Sequence, residues 1–269
     1  MRSLRLALIF VAACSVPQET FQHIVDGHPG DGPLDAMPDG PANAAMLSAS
    51  PTGDIAIGDV IIGQSSAKTT ITVSNDGDLV SGAITIAYDD TTLGFMITDD
   101  TCSTHTLARH QTCTFAVRFT PGTSGPVTTP LHISATPGGD VMKAVAAQGL
   151  IQGQVDIMEM GHDYLSLNVD AVPTTKVFTV RNLGQTTIGT PLPTTTGDAS
   201  YSVQSTTCST ALAQADTCTV TVAFDPSLVG QKAGSLTVTS VAGVGTTAGG
   251  QDAAMLAGTG TAHVVVTPS

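Results

Sequence analysis

The 269-residue chain has no tryptophan, three tyrosines, and only nine Lys+Arg against 22 Asp+Glu. Binding a phosphate backbone requires a basic face, so nucleic acid is excluded as a partner. Charged residues make up 12% of the chain, and mean hydropathy is slightly positive. A wholly disordered chain has the opposite balance. No apolar run approaches the roughly 20 residues that a membrane-spanning helix needs. The sequence contains no HExxH, no GxSxG elbow, no glycine-rich phosphate loop and no CxxC. No enzyme activity, cofactor or resident metal is therefore expected. What is abundant is glycine, with 28 residues, proline, with 15, and threonine, valine and alanine. That composition favours strands and turns over helices.

The first 14 residues read MRSLRLALIFVAAC. Arg2 and Arg5 precede an apolar run from Leu6 to Ala13, too short to span and ending in small residues, which marks 1–13 as a signal peptide. Val11-Ala12-Ala13-Cys14 resembles the lipobox of bacterial lipoproteins. The resemblance implies that Cys14 carries palmitate-type lipid chains after cleavage and anchors the protein to a membrane. Ser15, rather than Asp, follows the cysteine, which by the sorting rule of enteric bacteria implies the outer membrane. A bacterial cell-envelope location is the expectation.

Residues 14–50 set Asp26, Asp31, Asp35 and Asp39 among glycine and proline with no hydrophobic period. They are expected to form a disordered, self-repelling spacer. Calcium binding is the alternative, but spacings of four and five lack the alternation of an EF-hand loop.

The strongest signal is internal repetition. TTITVSNDG ends at Gly77 and KVFTVRNLG at Gly184; Asn75 pairs with Asn182, Cys102 with Cys208, and Cys113 with Cys218. CTFAVRFTPGTSG at 113–125 then matches CTVTVAFDPSLVG at 218–230, aligning Phe119/Phe224, Pro121/Pro226 and Gly125/Gly230 at an offset of 105. VAAQG at 145–149 and LAGTG at 256–260 close the two units. The boundaries read from this are 51–149 for the first unit and 150–269 for the second, including a C-terminal strand or tail.

Within each unit, short runs alternate with period two. Cys113, Phe115, Val117 and Phe119 share one phase, and Cys218, Val220, Val222 and Phe224 repeat it, as half-buried antiparallel strands require. Further strands are expected at 54–57, 69–74, 83–88 and 131–135. About seven short strands per 100 residues indicate a β-sandwich.

The series IGDVIIGQSS, TTITVSNDG, C-x10-C, FTP and the closing small-residue run is similar to the ASH (abnormal spindle/hydin) type of Ig-like domain, whose bacterial relatives are described as choice-of-anchor D proteins. The likeness spans about residues 50–260. It departs at Ile57, where the family has Phe, and at Arg109/His110, near the usual glycine before the second cysteine. In the second unit, Tyr164 to Val169 stands where the opening motif belongs. The resemblance implies an all-β fold of two tandem sandwiches like those of major sperm protein and the pilus chaperones. It also implies a non-catalytic role.

Five cysteines leave two pairs once Cys14 is lipidated. Disulfides Cys102–Cys113 and Cys208–Cys218 are expected, each closing a loop of about ten residues. Zinc held by Cys102, His105, His110 and Cys113 is the alternative, but the second unit has no histidine between its cysteines. Asp89/Asp90 and Asp99/Asp100 could seat a cation or form a glycosidase pair, although turn chemistry also explains them. His132 is the one histidine in a duplicated strand block, and its counterpart is Thr237. The function expected is presentation of two sandwiches to an envelope or surface protein, or a structural role. The alternative is an envelope carbohydrate-binding module, against which the scarcity of aromatics counts.

Overall fold

The computed structural model describes residues 44–262. The signal peptide, Cys14, nearly all of the expected spacer, and residues 263–269 lie outside the described residues.

The first unit contains β1 (Leu47–Ser50), β2 (Ile55–Ile61), β3 (Thr69–Asn75), β4 (Thr85–Tyr88), β5 (Phe95–Thr98), β6 (Thr112–Phe119), β7 (Gly125–Ala135) and β8 (Gly139–Leu150). The second contains β9 (Val155–Ile157), β10 (Gly161–Asn168), β11 (Thr174–Asn182), β12 (Leu192–Gly197), β13 (Tyr201–Thr206), β14 (Thr217–Phe224), β15 (Gly230–Ser240) and β16 (Gly250–Thr261). There is no helix among the described residues.

Each unit forms two four-stranded sheets with one connectivity. The orders β1-β3-β6-β5 and β2-β8-β7-β4 become β9-β11-β14-β13 and β10-β16-β15-β12 on adding eight to each strand number. The first sheet of each unit has the ABED order of Ig-like sandwiches, and β4, β7 and β8 supply the CFG strands. Eight strands appear instead of seven because the opening strand divides. Its first half pairs antiparallel with β3 or β11, and its second half crosses to pair parallel with β8 or β16.

The predicted alternation has a direct physical outcome. Phe115, Val117 and Phe119 are buried, as are Val220, Val222 and Phe224 on β14. They pack against Leu131 and Ile133 in one unit, and against Leu236 and Val238 in the other. Each sandwich thus closes over its own core.

β1 corrects the expected spacer boundary: Leu47–Ser50 lies within 14–50, yet pairs with β3 over four residues and buries Leu47 and Ala49. Four residues containing two apolar side chains are too few to show a period, and only pairing with β3 makes them a strand. The crossover after β1 is held by Lys143, a buried ammonium that donates to Pro51 O at 2.5 Å and Gly53 O at 3.0 Å.

Candidate functional site

Of the residues that the repetition singles out, the Asn-x-Gly motif and the cysteine pair lie at one end of each sandwich, and the phenylalanine lies at the other end of β6 or β14. Asn75 and Asn182 occupy the core-facing phase of β3 and β11, after Ile71/Val73 and Phe178/Val180, and are 0% and 1% exposed. A buried amide must satisfy two donors and an acceptor, and each one does. Asn75 Oδ1 accepts from Met46 N at 3.0 Å and Gly77 N at 3.1 Å, while Nδ2 donates to Leu79 O at 2.7 Å and Leu107 O at 2.9 Å. Asn182 repeats this with Gln154 N (3.1 Å), Gly184 N (3.0 Å), Thr186 O (2.9 Å) and Leu212 O (3.1 Å). One side chain therefore ties the opening strand, the turn after β3 or β11, and the loop before β6 or β14.

The glycine two residues on is required by close approach. A Cβ on Gly77 would stand 1.9 Å from Ala44 O, and one on Gly184 2.1 Å from Gln152 O. The duplicated Asn-x-Gly motif is thus a structural pin, and no chemistry is built on it.

Cys102 and Cys113 stand at disulfide distance, with sulfurs 1.99 Å apart, and Cys208 and Cys218 at 2.03 Å. Each pair closes the connection leading into β6 or β14, a loop length at which cross-linking contributes about 2–3 kcal/mol. The two histidines of the zinc alternative face elsewhere: His105 Nδ1 lies 3.0 Å from Ser103 O, and His110 Nε2 accepts from Arg109 Nε at 3.1 Å.

His110 and Ala215 hold equivalent places in this loop. Their amides donate to the carbonyls of Asn75 and Asn182, and both take positive φ, 59° and 65°. The left-handed region costs a residue bearing Cβ about 1 kcal/mol or more, and glycine alone would occupy it without strain. Ala215→Gly is expected to stabilise the second sandwich by about 0.5–1 kcal/mol, read as a raised melting temperature.

The loop carboxylates serve turns and ion pairs. Asp90 Oδ1 accepts from Thr92 N and Oγ1, and Asp100 Oδ1 from the amides of Cys102 and Ser103. Asp99 pairs with Lys68 at 2.6 Å. Asp89 instead joins a cluster that spacing alone did not reveal. His132 on β7 has Nδ1 2.9 Å from Asp140 and Nε2 3.3 Å from Asp89, so the ring bridges carboxylates beside β4 and on β8. Only the imidazolium can donate at both nitrogens. The hydrogen bond to Asp140 raises the His132 pKa, partial burial opposes the rise, and the charges of Asp140 and Asp89 add to it.

The folded pKa is above the unfolded one. The contribution of the cluster is therefore fully present below the ordinary imidazole range and is lost as pH rises through the folded value. The stability difference between wild type and His132→Gln is expected to be largest near pH 5.5 and to vanish at high pH. Urea titrations across pH would measure it; a difference independent of pH would contradict the bridge.

Every described phenylalanine and tyrosine lies wholly or partly inside a sandwich. Tyr164, Tyr201 and Phe224 cluster with ring centroids 5.1–5.8 Å apart, and Phe95 lies 4.8 Å from Phe119. The tyrosine hydroxyls of the second cluster donate to the main chain, Tyr164 to Val222 O and Tyr201 to Lys232 O. Burial pushes the phenols of Tyr88, Tyr164 and Tyr201 up to about 12. Among the described residues no exposed aromatic face is available to stack on a sugar ring.

No protein-family model matches the chain, and neither does any curated protein. Among solved structures, it is similar to the extracellular cadherin domains 1–4 of protocadherin gamma B7, with a TM-score of 0.47 and 10% identity over 82% of this chain and 51% of that one. It is also similar to a three-domain titin fragment, with a TM-score of 0.38 and 9% identity over 81% and 66% of the two chains. The ASH/PapD-like domain of human CEP192 matches with a TM-score of 0.30 and 13% identity, covering 50% of this chain and 99% of that domain. By its own strand order, repeated in full, the described chain is a tandem of two Ig-like β-sandwich domains.

Proposed function

We propose that the chain is a non-enzymatic lipoprotein of the bacterial cell envelope, anchored through Cys14. In this reading it belongs with the choice-of-anchor D proteins and holds its two sandwiches toward an envelope or surface protein, or serves as a structural spacer. One observation supports this above the others: what the duplication preserves is scaffold. The buried Asn, the glycine beside it, the cysteine pair and the core phenylalanine recur in both units, whereas His132 and the paired carboxylates occur once. A module retained for chemistry would duplicate its reacting groups; one retained for presenting a surface needs only the fold. The inward-turned aromatics weigh against the carbohydrate-binding alternative.

Crosslinking in cells, followed by capture from the envelope fraction with Cys14→Ser alongside, tests both parts. The expected result is an envelope protein captured with the wild-type chain, and loss of membrane association in Cys14→Ser. Membrane association unchanged in Cys14→Ser would overturn the anchor. An empty capture from a correctly located protein would overturn the heterologous-partner role and leave the structural one.

A further inference from the structure

The two copies of the pin differ inside the turn. Asn75-Asp76-Gly77 in the first sandwich stands where the second has Asn182-Leu183-Gly184. Aspartate before glycine is the pairing most open to backbone isomerisation, because a residue without Cβ leaves its amide nitrogen free to reach the preceding carboxyl. Asp76 is exposed, whereas Gly77 is buried and donates its N–H to Asn75 Oδ1 at 3.1 Å. The Asp76 amide donates to Met46 O at 2.8 Å, and the space beside the Gly77 α-carbon is filled by Ala44 O. Leu183 makes the same main-chain bond, to Gln154 O at 2.9 Å, but has no carboxyl.

We infer that Asp76 is a latent isomerisation site, closed while the first sandwich is folded and opened by its unfolding. The reaction needs only water. The Gly77 nitrogen attacks Cγ of the protonated Asp76 carboxyl, the nitrogen's proton and the carboxyl hydroxyl leave together as water, and a succinimide ring closes. Water then adds at either ring carbonyl. Addition at Cγ restores aspartate. Addition at the α-carbonyl breaks the original peptide bond, so the main chain runs on through Cβ and Cγ and the α-carboxylate becomes a side group. Two features of the fold oppose the first step. The N–H is held by Asn75 Oδ1 away from solvent, and a buried, bonded amide loses its proton only when the structure opens around it. The main chain on either side of Cγ is also fixed, by Met46 O and by Ala44 O, so the nitrogen cannot swing onto the carboxyl.

The product cannot rebuild the pin. An isoaspartyl linkage puts an extra carbon into the main chain before Gly77 and a carboxylate into a turn packed against main chain. With that carbon present, Asp76 N and Gly77 N no longer meet Met46 O and Asn75 Oδ1 together, and a stranded buried amide is costly. Chemical change in the unfolded chain is a recognised source of irreversible unfolding. The first sandwich therefore loses the ability to refold the longer it stays open, while the second, with Leu183, keeps it. The inference is independent of the lipid anchor and of any partner.

The test holds the full chain for days at neutral pH, either native or in guanidinium chloride with its disulfides intact, and then returns it to buffer. Peptide mapping with electron-transfer fragmentation locates isoaspartate, and calorimetry follows the transition of each sandwich. Wild type kept native is expected to show no isoaspartate at position 76. Wild type kept in denaturant is expected to accumulate it there and, on refolding, to lose the first sandwich's transition in proportion while recovering the second's. Asp76→Leu, which installs the counterpart residue of the second sandwich, is expected to recover both transitions after the same treatment. Asp76→Glu, whose ring closure is larger and slower, serves if Asp76→Leu does not fold. Isoaspartate at position 76 forming as fast in native protein as in denaturant, or failing to form in denaturant, would overturn the inference. So would recovery of the first transition by isomerised wild type, or its loss in the substituted chain to the same extent as in wild type.

Discussion

Replacing Asn75 with alanine is expected to destabilise the first sandwich by about 3–5 kcal/mol, and Asn182→Ala to do the same to the second. Each substitution removes the side-chain partner of two amides and of the Leu79 or Thr186 carbonyl, while the Leu107 and Leu212 carbonyls keep the amides of Ser81 and Ile188 as donors. An unsatisfied buried group costs about 1–3 kcal/mol, and partial relaxation keeps the sum below three such costs. Aspartate is the sharper variant. It retains the acceptor for Met46 N and Gly77 N but turns an oxygen toward the carbonyls of Leu79 and Leu107. Asn75→Asp is thus expected to be at least as damaging as alanine at neutral pH, and to recover in part in acid, where the carboxyl can donate. Calorimetry of the full chain, following the transition of the affected sandwich, would measure both. A loss below about 1 kcal/mol for Asn75→Ala would mean the amide is not the pin described.

Truncating Phe224 is the second large effect. The ring is fully buried between Tyr164 and Tyr201, with centroids at 5.4 and 5.1 Å, and Phe→Ala in such a core costs about 3–5 kcal/mol. Its neighbour on β16 is Gly258, where a Cβ would lie 2.7 Å from Phe224 Cζ. The equivalent place in the first sandwich holds Ala147, where Phe119 has no counterpart of Tyr164 beside it. Adding the third ring therefore coincides with removing a methyl. Gly258→Ala should be destabilising in wild type and markedly less so in the Phe224→Ala background, because the methyl then enters the vacated space. A double-mutant cycle by urea unfolding would show it; strict additivity would contradict the packing account.

Several structural features could be read from the residues directly. Six aligned landmarks located two copies of one unit, and the alternation at 113–119 and 218–224 fixed which side chains enter the core. Asn75 and Asn182 were visible as a repeated residue at the end of a strand, but not as buried pins, because their partners lie in segments distant along the chain. Other features were not legible locally. β1 is too short to carry a period and exists because β3 offers it an edge. The strained loop position at His110 and Ala215 is occupied by residues that do not signal a left-handed conformation. The bridge at His132 joins groups 8 and 43 residues away in the chain, so no local spacing could announce it.

The sequence alone determined the class, the duplication, the strand phase and the cysteine pairing, because each depends on spacing along the chain. The tertiary structure decided what the repeated residues do and which charged groups meet across strands. Those properties arise only when strands distant in sequence are brought within a hydrogen bond or a row of one another. The amide of Asn75 shows the difference. Its chemistry is the same in any strand, yet it becomes a four-way pin only where Met46, Gly77, Leu79 and Leu107 converge around it.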